Sequence, residues 1–133
     1  MIYLASPFTD RDPKVEHTRY LAAAAATAAL FAKGLHVYSP IAYSYPLCRD
    51  AGMNPHWPGW YTFATMMLVR ASAVYVLTLP GWRESRGVRA EVLQARGMML
   101  PISGVDPTTY AVTPLDAYAA FPAANQNGTD GAA

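Results

Sequence analysis

The chain has 133 residues, of which 53% are hydrophobic and 14% charged, and its formal charge at neutral pH is +1. That length and apolar content suit one domain with a substantial core, and the near-neutral balance offers neither a basic stripe for a nucleic acid polymer nor a cationic face for a membrane. The longest apolar run, residues 21–32, is mostly alanine and too short to span a bilayer. With Cys48 as the one cysteine there is no intrachain disulfide framework, and the opening residues read as a strand rather than a signal peptide, so the expected location is the cytoplasm.

Ile2-Tyr3-Leu4-Ala5 is a short buried strand that ends at Ser6-Pro7. Asp12 then caps a helix over residues 13–33, with Pro13 in its first turn, Gly34 as its C′ residue, and Leu21, Ala25, Ala28 and Ala32 as the inner face. Residues 35–38 form a second strand, so the unit is βαβ, its crossover right-handed and its strands parallel. The prolines and glycines between Pro40 and Trp60 predict a long irregular connection carrying Tyr43, Tyr45, His56 and Trp57. Those aromatics either cover a ligand crevice or pack within the loop. Residues 60–71 regain helical character, and their methionines and aromatics suit either a dimer surface or the core.

A continuous β-branched and aromatic run, residues 73–79, predicts a strand covered on both faces, stopped by Pro80-Gly81. Beyond a polar loop, residues 82–87, the stripe Val88, Val92 and Ala95 marks a helix that Gly97 ends. Residues 98–102 are a last core strand, residues 114–121 a small helix, and residues 123–133 a loose tail after a domain spanning residues 1–122. The expected architecture is therefore a flavodoxin-like or Rossmann-like doubly wound parallel sheet of four to five strands. In the flavodoxin-like order the first strand and the strand at Ala73 are neighbours where the winding reverses, and ligands bind outside their carboxyl ends. Ser6-Pro7-Phe8 and residues 80–87 wall that crevice.

A helical side chain leans toward the N-terminus, so Glu91 covers the turn that contains Gly87, which has no side chain to be covered. Its carboxylate then points into open space at the helix start, where free N–H groups favour an anion, with Ser85 and Arg86 at hand. The plainer reading is a solvated Glu91 paired with Arg86 or Arg89. His17, His36, His56 and Cys48 lack metal-ligand spacing, and neither a G-x-G-x-x-G nor a Walker sequence is present, so no metal and no cofactor is expected.

The first strand with its Ser6-Pro7-Phe8, Gly34 before a strand ending in Ser39-Pro40, and Leu79-Pro80-Gly81-Trp82 followed by Ser85, Gly87 and Glu91-Val92 resemble the nucleoside 2-deoxyribosyltransferase-like superfamily. The similarity covers most of residues 2–102 and is to its small bacterial and phage branch, related to nucleoside 5′-monophosphate N-glycosidases. It implies cleavage of a base–(deoxy)ribose bond, with Glu91 as nucleophile and Tyr3 positioning it. It also implies a substrate site built from Ser6, Pro7, Phe8, Gly81, Trp82, Ser85, Arg86 and Gly87, with Ser85 at a 5′-phosphate, and a homodimer or higher homo-oligomer. The superfamily's acid toward the leaving base has Ala64 at its place here, and a second aspartate has Ser72. Asp10, Asp12, Asp50, Glu84 or a water are the candidates to replace that acid. Two other readings keep the crevice without the chemistry: a nucleotide-binding module that senses or sequesters its ligand, and a flavin carrier.

Overall fold

In a computed structural model that describes residues 1–122, helices flank both faces of a five-stranded sheet of order β2-β1-β3-β4-β5. The predicted tail, residues 123–133, lies outside the described residues. The elements are β1 (Ile2–Ala5), α1 (Pro13–Ala32), β2 (Val37–Tyr38), α2 (Pro40–Ala51), α3 (Gly59–Val69), β3 (Ala73–Leu77), α4 (Arg86–Gly97), β4 (Ile102–Val105), β5 (Val112–Pro114) and α5 (Ala117–Ala120), with a 3-10 turn at Trp82–Glu84. The first four strands in spatial order are parallel, and β5 adds antiparallel to β4. This is the doubly wound order the pattern predicts. β1 and β3 are central neighbours, Tyr3 opposite Val74 and Ala5 opposite Val76.

Alternation along these strands divides the core. Tyr3, Ala5, Val74 and Val76 face α3 and α4, where they meet Leu68, Val88, Val92 and Ala95. Leu4 and Leu77 face the other way, toward Ala26 and Leu30 of α1. Each buried apolar side chain contributes roughly 1.5–3 kcal/mol, so a central strand buried on both faces is a principal source of stability.

Local chemistry sets the boundaries. The Asp12 carboxylate accepts the Lys14 N–H at 2.9 Å and caps α1, whose Pro13 has no N–H to leave unsatisfied. Gly34 follows at φ +86°, a left-handed conformation that closes the helix without Cβ strain.

Several expectations need correction. The connection after Pro40 is largely helical: the Ser39 hydroxyl accepts the Ala42 N–H at 3.1 Å, and Pro40 occupies the first helical turn instead of breaking it. Pro46 lies inside α2 and withholds one backbone donor without ending the helix. The inner face of α1 is Ala23, Ala26 and Leu30, whereas Leu21, Ala25, Ala28 and Ala32 are exposed. In an alanine run, size gives almost no clue to which side is inside. The strand expected at residues 98–102 begins only at Ile102, because Met98 caps α4 and Met99 turns outward at φ +56°. The strand at Ala73 ends at Leu77, and the terminal helix is the short α5.

Candidate functional site

The carboxyl ends of β1 and β3 open into a cleft of about 510 Å³. Its walls are the Ser6–Asp10 segment after β1, Gly81 to Gly87 after β3, and Ile41 from α2, with Glu91 reaching in from α4. The volume suits a nucleoside-sized ligand. Gly81 makes the turn out of β3 at φ +89°, and the Ser85 hydroxyl then accepts the Val88 N–H at 3.2 Å, starting α4 at the cleft. The helix therefore presents its remaining first-turn donors to any anion held there.

Glu91 stands where the sequence argument puts it. A Cβ on Gly87 would lie 4.0 Å from Glu91 Oε1 and 3.9 Å from Ser85 Oγ, which puts the carboxylate directly over the bare glycine. The carboxylate sits beside the hydroxyl of Tyr3, a side chain otherwise buried in the core. Burial pushes the Glu91 carboxyl up to about 7, and the Tyr3 hydroxyl partly offsets this by favouring the anion. Tyr3 is itself held far above the usual phenol range, first by burial and then by the neighbouring Glu91. Among the described residues Glu91 joins no ion pair, so the pairing with Arg86 or Arg89 is not formed.

Ser6 is nine-tenths buried on the cleft wall, and its Oγ has no hydrogen-bond partner among the described residues. A buried hydroxyl left this way costs about 1–3 kcal/mol, which a ligand hydroxyl can relieve. Phe8, Gly81, Ser85, Arg86 and Gly87 also line the cleft. Pro7 and Trp82 do not: Pro7 is fully buried, and the Trp82 ring turns into the core edge-on to Phe121, at 5.8 Å between centroids. Trp82 is therefore a packing residue beneath the loop.

Of the two readings of the aromatics between Pro40 and Trp60, packing is the one formed: none of them lines the cleft. Tyr45 stacks on Tyr20 and meets Phe8 edge-on, Tyr43 packs on Tyr38 and Phe63, and Trp57 packs on Trp60. Tyr45 and His56 line a separate hollow beside Phe8.

Two site residues escaped the sequence reading. Tyr38, at the end of β2, is the register partner of Tyr3, meets it edge-on at 5.7 Å, and is pushed up to about 12 by burial, then by Tyr43 and Glu91. Its position at a carboxyl end beside β1 was the available signal. Arg19 reaches from α1 to donate to the carbonyls of Phe8 at 3.2 Å, Thr9 at 3.0 Å and Pro80 at 3.5 Å. It thus ties together the two loops that form the cleft walls. Nothing local in the sequence announces such a long-range tie.

On its other side Glu91 borders a second hollow, of about 380 Å³, between α3 and α4, where Ala64 is also found. Among the described residues no helix is long and apolar enough to cross a membrane. Fold and cleft together define a doubly wound α/β domain with a carboxylate-bearing site at its topological switch point. A family model described as a domain of unknown function (DUF1937) matches residues 1–106, and the chain belongs to that family. No curated protein matches the chain.

Proposed function

We propose that this protein is an N-glycosidase that hydrolyses, rather than transfers, the base–(deoxy)ribose bond of a nucleoside or nucleoside 5′-monophosphate, with Glu91 as nucleophile. The observation that carries the reading is the Glu91–Tyr3 pair beside the open space above Gly87, at the start of a helix. A carboxylate so placed can attack an anomeric carbon, as in a retaining glycosidase, and water then releases the sugar. The buried, unpartnered Ser6 hydroxyl suits a sugar hydroxyl, and the start of α4 with Arg86 suits a 5′-phosphate. The resemblance to the nucleoside 2-deoxyribosyltransferase-like superfamily supports the same chemistry.

The resemblance also favours a homodimer or higher oligomer, and the strand-like opening residues favour the cytoplasm. Tyr61, Met66 and Val69 on α3 are exposed apolar groups beside the second hollow, where another copy of the chain could sit. The competing reading is a nucleotide-binding module without turnover, favoured by the alanine at position 64.

The test is chromatographic detection of free base from a panel of ribo- and deoxyribonucleosides and their 5′-monophosphates, using wild type and Glu91→Ala. Release by wild type alone is expected. Tight binding with no release from any substrate would replace the enzyme by the binding module.

A further inference from the structure

The surroundings of Glu91 bear on which leaving group this site can release. In the hollow between α3 and α4 it is faced by Tyr3, Tyr61, Ala64, Thr65 and Gln94. None of these is a carboxylic acid or an imidazole able to hand a proton to a departing base at neutral pH. In the cleft on the other side the carboxylates are Asp10 and Glu84. Asp10 Oδ1 accepts the Asp12 N–H at 2.9 Å and so belongs to the turn before α1. Glu84 is exposed in the 3-10 turn.

Positive charge is equally scarce at the carboxylate. The cleft's two cations are Arg19, engaged with three backbone carbonyls, and Arg86, exposed at the helix start and not paired with Glu91. Glu91 is thus a half-buried carboxylate with a phenol for company and, among the described residues, no cation paired with it. A ligand that brought its own positive charge to the anomeric centre would complete it electrostatically.

Resting on the N-glycosidase reading, we propose that the preferred substrates are cationic N-glycosides, in which the leaving heterocycle already carries a positive charge at the ring. N-ribosyl pyridinium compounds and N7-methylated purine nucleosides are of this class. A Glu91 oxygen forms a bond to C1′ as the C1′–N bond breaks, and the electron pair of that bond passes to the ring, which departs neutral without taking a proton. Water then adds to C1′, the Glu91 carboxylate is displaced, and one proton is released. The net change is cationic N-glycoside plus water to neutral base, free sugar and a proton. The base of a neutral nucleoside would instead leave as an anion, and the general acid that the described lining of the hollow lacks is worth about 10²–10⁴ in rate.

The test compares 7-methylguanosine with guanosine, and nicotinamide riboside with adenosine, together with the four 5′-monophosphates. Wild type and Glu91→Gln are assayed by chromatography for free base, with spontaneous hydrolysis subtracted. The expected result is a kcat/KM at least ~10²-fold higher for the cationic member of each pair, lost in Glu91→Gln. Comparable or faster release from the neutral members overturns the proposal and leaves the N-glycosidase reading standing. No release from any of the eight compounds by a folded protein overturns both, and cation release undiminished in Glu91→Gln overturns the proposed role of the site.

Discussion

The Tyr3 hydroxyl sits beside the Glu91 carboxylate, where the first strand of the sheet meets the helix that follows its neighbour β3. The pair holds opposed tendencies: burial disfavours the Glu91 charge, and the phenol favours it. Tyr3→Phe removes only the stabilising hydroxyl. It is expected to move the acid limb of the kcat/KM profile to higher pH and to cost about 1 kcal/mol of stability. A profile that stays in place would show that the phenol does not tune the carboxylate.

Glu91 also makes stability depend on pH, in a direction opposite to that of most carboxylates. Its folded-state pKa of about 7 lies above the ordinary 4.5, so the folded protein binds this proton more tightly than the unfolded chain. The contribution is present in full below the unfolded value and is lost as pH rises through about 7. Compared with Glu91→Gln, wild type should therefore lose on the order of 2–3 kcal/mol between pH 4 and pH 8. Thermal melts of both proteins across that range check this, while base release by wild type should rise over the same interval as the nucleophile ionises.

Ser6→Ala separates folding from binding. The lost hydroxyl has no partner among the described residues, so stability should stay level or rise by up to about 1 kcal/mol. KM for a productive substrate should rise ~5–10-fold, the effect of losing one hydrogen bond of about 1 kcal/mol. A clear drop in the melting temperature would mean that the hydroxyl serves the fold.

Gly87→Ala places a methyl group in ordinary contact with Ser85 Oγ and Glu91 Oε1. Helix propensity favours the alanine by about 0.5–1 kcal/mol, so the variant should melt higher. Turnover should fall, because the methyl occupies the space where the carboxylate meets its substrate. Full activity in the variant would place the reacting centre elsewhere.

Arg19→Met keeps much of the side chain's bulk but removes its bonds to the Phe8, Thr9 and Pro80 carbonyls. The expected loss is about 1–2 kcal/mol of stability, since the bonds are charge-assisted but lie partly in solvent. KM should rise more than kcat falls, as the two walls lose their common tether. Hydrogen exchange at the loop amides around Thr9 and Trp82 is the direct readout.

The sheet order was legible because β1 and β3 are short, continuous apolar strands and because Asp12, Gly34 and Pro80-Gly81 punctuate the chain without ambiguity. Pro40 misled because proline ends helices but also begins them, and only the Ser39 cap tells the two apart. The α1 face was misassigned because Leu21, a large apolar side chain among alanines, points to solvent, while Ala23 and Ala26 are buried. The position of Glu91 over Gly87 followed from helix geometry alone. Tyr38 and Arg19 depend on which strands and loops become neighbours, and the burial of Trp82 depends on Phe121, far along the chain. Such tertiary partners leave no periodic trace.

The ends of the sheet carry a consequence for how copies of this chain can meet. One edge is β2, with two residues in the ladder, and the other is β5, with three residues ending in Pro114, which has no N–H to offer. Edges this short, one of them blunted by proline, give a second molecule almost no backbone to pair with. Strand-to-strand growth into longer sheets is thereby disfavoured, which protects against aggregation. A second copy that did bind would have to meet side chains on the helices, where surfaces can be matched without disturbing the ladder.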